Sequence, residues 1–232
     1  MRGRLLFAAA VGLGLPFAPA PAAQKPVAIS TDWTRTVVQT PEGGFRMGNP
    51  SARVKVVEYG SLTCSHCADF SKAAMAPLAR DYVKSGKVSY EFRNFVLNGI
   101  DASASLLARC GGTRNFFRIT EGMFAAQDQW MGKVSKISQA QKDQMKSLPT
   151  GEMLGRIADL GGLTQLSAER GLPAVQGKKC LSDEAALNRL GDMYGAAEAL
   201  GVQGTPTFFI NGDRAAAHDW PTLEPLIRKA AG

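Results

Sequence analysis

The spacing of apolar and polar positions changes several times along this chain, and each change marks an element. Val54-Lys55-Val56-Val57-Glu58-Tyr59 is nearly continuous in β-branched and apolar residues, the pattern of a buried central strand. Over residues 64–83 the period becomes helical, with Phe70, Ala74, Pro77-Leu78 and Tyr82 recurring on one face. Pro77 predicts a kink, because proline removes a helix hydrogen bond and crowds the preceding turn, and Gly86 predicts the stop. Residues 88–95 alternate like a half-buried strand. From about Asn98 to Gly201 the pattern is helical throughout, with segments over 102–109, 115–131, 138–146, 152–160 and 183–200. Thr207-Phe208-Phe209-Ile210 returns to strand. Asn211-Gly212 follows as a two-residue hairpin turn, since both positions tolerate positive φ, and 222–231 reads as a closing helix. Upstream, Thr36-Val37-Val38-Gln39 reads as a short strand, with turns at Pro41-Glu42-Gly43-Gly44 and Gly48-Asn49-Pro50. The order predicts an α/β domain interrupted by a helical insertion. Its body covers 49–97 and 201–232, the insertion 98–200, and an extension over 24–48 precedes them.

The first 23 residues stand apart. Arg2 and Arg4 precede an apolar run from Leu5 to Leu15, followed by Pro16 and the small-residue stretch Ala18-Pro19-Ala20-Pro21-Ala22-Ala23. This is the layout of a secretory signal, and the run is too short to span a bilayer, which takes about 20 residues. The expectation is a cleaved signal and a location in the periplasm or extracytoplasmic envelope. Removing Arg2 and Arg4 lowers the formal charge of +7 by two, to +5. The remaining basic residues form no stripe interleaved with aromatics, which argues against nucleic-acid binding.

The chain has four cysteines: Cys64, Cys67, Cys110 and Cys180. In an exported protein an even number makes disulfides the first consideration. Cys64-Ser65-His66-Cys67 lies where a strand hands over to a helix. Cys64 would sit at the helix N-terminus, where free backbone N–H groups and the helix dipole favour thiolate over thiol. His66 adds a donor or a positive charge, and Cys67, one turn in, should be more buried and less reactive. Thiolate stabilisation stabilises the reduced form, so the disulfide becomes a stronger oxidant, and it makes Cys64 a good leaving group. The same pair read as half a zinc site lacks a second ligand pair, since Cys110 and Cys180 stand alone and His218 is the only other histidine. A purely structural disulfide is the other bland reading. No metal is expected, and no cofactor beyond the Cys64–Cys67 disulfide.

Far along the chain, Gly201-Val202-Gln203-Gly204-Thr205-Pro206 places a proline just before the strand at Thr207. With the cysteine motif, this spacing resembles the thioredoxin superfamily, and closely the DsbA-like disulfide oxidases of bacterial envelopes, over roughly Asn49 to the C-terminus. The resemblance implies a thioredoxin fold interrupted by an α-helical insertion. It also implies a cis Thr205–Pro206 peptide facing the cysteines, with Thr205 pairing an extended substrate segment and Ser65 beside it; the bland alternative is a trans proline at a strand start. An acid at Glu58 would serve as proton acceptor beneath the buried cysteine; the bland reading is a charge reaching the sheet edge to pair with a lysine. Some members carry a second disulfide in the helical block, which implies a structural bridge between Cys110 and Cys180, against two separate buried thiols. Such a bridge would be worth about 3–5 kcal/mol on the chain-entropy model. The chain departs from the best-known DsbA pattern at Ser65, where proline often occurs.

The implied function is a periplasmic thiol:disulfide oxidoreductase. It would oxidise cysteine pairs of folding exported proteins, be reoxidised by a quinone-linked membrane partner, and act as a monomer. The rivals are a disulfide isomerase or reductase on the same fold and a redox-idle peptide-binding module. Envelope isomerases of the superfamily usually carry an N-terminal dimerisation domain, for which about 25 residues before the thioredoxin-like region are too few.

Overall fold

The computed structural model describes residues Thr31–Gly232; the expected signal lies outside the described residues. Among the described residues six strands form one mixed sheet: β1 (Val37–Gln39), β2 (Phe45–Gly48), β3 (Val54–Gly60), β4 (Val88–Asn94), β5 (Thr207–Ile210) and β6 (Asp213–Arg214), in the order β1-β2-β4-β3-β5-β6. Among the described strands the β3–β4 pair is parallel and the other pairs are antiparallel; between β3 and β4 a helix, α1 (Ser65–Pro77), carries the chain back across the sheet. The β5–β6 hairpin turns at Asn211 and Gly212, whose φ values of 55° and 96° are both left-handed. A last helix, α10 (Trp220–Ala231), packs against β3 and α1.

Eight helices lie between β4 and β5: α2 (Gly99–Cys110), α3 (Gly112–Ala125), α4 (Gln127–Ser135), α5 (Gln139–Lys146), α6 (Thr150–Gly161), α7 (Leu163–Ala168), α8 (Ala174–Leu181) and α9 (Glu184–Ala199). They share one core with the sheet. Phe116 of α3 stacks on Phe45 of β2 with ring centroids 3.9 Å apart, and Phe92 of β4 meets both Phe116 and Phe124.

Four expectations need correction. The extension over 24–48 supplies two strands of the sheet: β2, not foreseen, pairs Phe45 with Phe92 and Met47 with Tyr90. β4 is buried on both faces rather than half-buried. Its outward Glu91 is satisfied by the Thr40 hydroxyl and the Arg93 guanidinium, each 2.7 Å away. The helix after Cys64 does not simply kink at Pro77; it passes into a π-helical turn over Leu78–Val83, in which Lys84 N–H reaches Ala79 O. The helix expected over 115–131 breaks at Ala126, with φ −101° and ψ 13°. There the Trp130 indole N–H donates to Met123 O at 2.8 Å, taking the carbonyl that Gln127 N–H would use in a continuous helix.

Candidate active site

β3 runs through the middle of the sheet and ends at Gly60, where a side chain would not fit. A Cβ there would stand 2.5 Å from Phe92 Cε2 and 2.9 Å from Glu58 Oε1. The chain then crosses the loop Ser61-Leu62-Thr63 to Cys64. The loop closes on itself: Cys64 N–H donates to Ser61 O at 3.2 Å and Thr63 N–H to Ser61 Oγ at 3.1 Å. Cys64 is the N-cap of α1, in extended conformation, and its own carbonyl accepts from Ala68 N–H. That geometry leaves the Cys64 sulfur facing the unpaired N–H groups of the first helical turn.

Cys64 and Cys67 are free thiols, the first half-exposed and the second fully buried. The Cys64 thiol is pulled down to about 5 from an ordinary 9.0. A hydrogen bond from the Cys67 thiol is the main cause, helped by Thr205 and by the backbone N–H groups of Cys67 and His66, against the opposing effect of burial. Burial pushes the Cys67 thiol well up, and its neighbours Cys64 and Glu58 add to the effect. One cysteine is therefore a thiolate at neutral pH and the other a thiol.

Opposite them, the Thr205–Pro206 peptide is cis, and Thr205 O lies 3.3 Å from Cys64 Sγ. Pro206 is buried and Thr205 half-buried. Beneath the pair, Glu58 is 1% exposed. Its Oε2 accepts from the Tyr90 hydroxyl at 2.5 Å, and its Oε1 is buried with no hydrogen-bond partner among the described residues. Burial raises this carboxyl to about 8, with the Tyr90 hydroxyl opposing and the Cys64 charge reinforcing. Among the described residues no lysine pairs with Glu58, so the bland reading of an ion pair at the sheet edge does not hold there. Ser65 and His66 turn their side chains to solvent, and His66 reaches Cys64 through its backbone N–H.

Cys110 and Cys180 are bonded to each other, joining the end of α2 to α8. Cys110 sits nine residues beyond Asp101, a rise of about 14 Å along α2. Asp101 and Gln127 are site residues that the sequence pattern does not reveal. Asp101, fully buried, accepts from Leu62 N–H at 2.9 Å, Leu97 N–H at 3.0 Å and Ser105 Oγ at 3.3 Å. Gln127, 5% exposed, donates from Nε2 to Leu62 O at 2.8 Å and to Cys64 O at 2.9 Å. No group of three or more metal-type side chains is found among the described residues.

A βαβ unit, a ββα unit, a cysteine pair at the first helix and a cis proline facing it meet in one place, and comparison with known proteins agrees. The model of the family described as Thioredoxin matches residues 40–229. The chain belongs to the thioredoxin family. Within it, the chain is similar to the crystal structure of a protein-disulfide isomerase from Novosphingobium aromaticivorans, at 31% identity and a TM-score of 0.75, over 81% of this chain and 96% of that one. A "Putative protein-disulfide oxidoreductase" of Rickettsia bellii is 30% identical over 191 residues, 82% of this chain. The chain spans 65% of that relative's length. The fold extends to Wolbachia pipientis alpha-DsbA1, with a TM-score of 0.61 at 24% identity, over 84% of this chain and 94% of that one. This thioredoxin fold therefore carries the helical insertion seen in DsbA-like structures. No helix among the described residues is long and apolar enough to cross a membrane.

Proposed function

We propose that this chain is a thiol:disulfide oxidoreductase of the cell envelope that oxidises cysteine pairs in exported proteins through Cys64 and Cys67. The observation that carries the reading is the asymmetry of the pair. Cys64 is exposed enough to be reached and stabilised as a thiolate, while Cys67 is buried and held as a thiol. A pair so arranged favours its reduced form, and its disulfide is an oxidant.

In the oxidising direction a substrate thiolate attacks Cys64 Sγ of the disulfide. The Cys64–Cys67 bond breaks, and the electron pair leaves on Cys67, which takes a proton. Glu58, raised to about 8 and so protonated at neutral pH, is proposed to supply it. A second substrate thiolate then attacks the substrate sulfur of the mixed disulfide, a substrate disulfide forms, and Cys64 leaves as a thiolate. Two electrons have moved from substrate to the Cys64–Cys67 pair. Thr205, beside the exposed sulfur, offers backbone to an extended substrate segment, with Pro206 shaping the loop and Ser65 and His66 on the rim. A quinone-linked membrane protein is the proposed acceptor of the two electrons. The Cys110–Cys180 bridge takes no part in the exchange and is proposed as structural.

The test is the equilibrium potential of the pair in glutathione buffers. A value near about −120 mV, that of DsbA itself, supports the oxidase; one near about −270 mV, that of thioredoxin, makes the protein a reductant and overturns the reading. A second reading, isomerase, is favoured by the likeness to the Novosphingobium protein. It predicts that the reduced protein reshuffles a scrambled multi-disulfide substrate without added oxidant. A redox-idle module predicts that Cys67→Ser traps no thiol-bearing partner.

A further inference from the structure

The loop that presents Cys64 is held from outside the thioredoxin body. Leu62 has both of its backbone groups bound by buried side chains of the helical insertion: its N–H by Asp101 of α2 and its carbonyl by Gln127 of α4. Gln127 also takes the Cys64 carbonyl, at 2.9 Å. Both partners of the Gln127 amide are carbonyl oxygens, which only accept. Its nitrogen must therefore face them, and both amide hydrogens are used.

We infer that Gln127 is a positioning residue for the reactive cysteine: by fixing the Leu62 and Cys64 carbonyls it sets the N-cap peptide of α1 and keeps the Cys64 sulfur against the N–H groups that stabilise its thiolate. A pinned N-cap carbonyl prevents rotation of the Cys64–Ser65 peptide, so the first-turn N–H groups stay aimed at the sulfur. The amide also presents its positive end to the residue that becomes negative, in a buried setting where such dipoles are poorly screened. Without the amide, two carbonyl oxygens lose a buried donor beside the sulfur, and the loop relaxes toward water. The insertion thereby acts on the thiol chemistry as well as on the fold. The inference concerns Cys64 reactivity alone, so it holds whether the protein serves as oxidase or isomerase.

Other groups that act on the sulfur or hold its loop are Cys67, Thr205 and the backbone N–H of His66, the carboxyl of Glu58, and Asp101 behind the loop. None is changed by substitution at Gln127. The experiment is a thiolate titration of the full reduced protein by absorbance near 240 nm, for wild type, Gln127→Met and Gln127→Glu. Methionine keeps length and volume but donates nothing; glutamate keeps shape and turns an acceptor toward the two carbonyls. Loss of the two bonds is expected to raise the Cys64 pKa by about 0.5–1 unit in Gln127→Met, a three- to tenfold loss of thiolate stabilisation. Gln127→Glu is expected to raise it further. The glutathione equilibrium constant should move by the same factor, toward a weaker oxidant. Unchanged titration in folded Gln127→Met, with only the melting temperature lowered, would make Gln127 a packing residue and overturn the inference. Should Gln127→Met not fold, Gln127→Leu, which keeps the apolar contacts, takes its place with the same two outcomes. A low potential in wild type with a shifted pKa in the variants would sink the oxidase reading and leave this one standing.

Discussion

At the scale of single residues, the most consequential placement is Glu58. A carboxyl buried in the middle of a sheet is expensive unless neutral or well paired, and this one has a single donor, Tyr90, for two oxygens. In the exchange proposed above, its rise to about 8 gives the Cys67 thiol, on which its charge acts, a partner that carries a proton at pH 7. Glu58→Gln keeps the volume and the bond from Tyr90 but carries no such proton. The expected outcome is a fall of about a hundredfold or more in the rate at which a dithiol peptide reduces the oxidised protein at pH 7, the usual range for loss of a general acid. The inflection near pH 8 in that rate should vanish. Persistence of the inflection in Glu58→Gln would assign it to another group. Stability supplies an independent sign. The folded carboxyl titrates above its ordinary 4.5, so its contribution is fully present below that value and is lost as pH rises through about 8. The amide that replaces it does not titrate and has nothing to lose, so the variant should gain on wild type in urea unfolding between pH 5 and 9.

At the scale of elements, the staple between α2 and α8 is the feature whose contribution can be isolated. It closes a span of 70 residues, for which the chain-entropy model gives about 3–5 kcal/mol. The double variant Cys110→Ala/Cys180→Ala should lose that much in urea unfolding and keep the Cys64 titration of wild type. A shifted titration instead would show that the staple reaches the site through α2, whose first turn carries Asp101. Elements also explain what could be read in the sequence. β3, α1 and the β5–β6 turn were legible because their signals are local: a run of β-branched residues, a helical period, and Asn-Gly at left-handed φ. β2 was not, because Phe45-Arg46-Met47-Gly48 is too short to carry a period, and its strand character comes from pairing with β4. The cysteine pair and Thr205-Pro206 could be named from motif and resemblance. Gln127 could not. In a helix over 115–131 it falls on the same face as the buried Phe116, Thr120, Met123 and Phe124, but the carbonyls it binds, those of Leu62 and Cys64, come from a loop more than sixty residues away in sequence. Asp101 was hidden for a similar reason, since its partners Leu62 and Leu97 come from two separate loops.

For the whole molecule, the redox state of one pair is linked to proton uptake and so to the stability of the single core that the sheet and insertion share. Between about pH 5 and 9 reduction of the Cys64–Cys67 bond leaves a thiolate and a thiol, so one proton is taken up for two electrons; below about 5, two are. The potential should accordingly fall by about 30 mV per pH unit above the break and about 59 mV below it. Linkage fixes the sign for folding. The Cys64 thiol titrates lower in the folded protein than in the unfolded chain, so its contribution is fully present above an ordinary 9.0 and is lost as pH falls through about 5. The disulfide form has no titrating thiol there. Glu58 works in the opposite direction in both forms; the burial that mainly causes its shift cancels when the two are compared, and only the smaller part due to the Cys64 charge remains, opposing the trend. The stability of the reduced protein relative to the oxidised one should therefore grow steadily from pH 5 to pH 9. Urea unfolding of both forms at pH 5, 7 and 8.5 measures it. A difference that stays constant with pH would mean that the thiolate is no better stabilised in the fold than in the unfolded chain, and the oxidising power proposed for the pair would then lack its physical source.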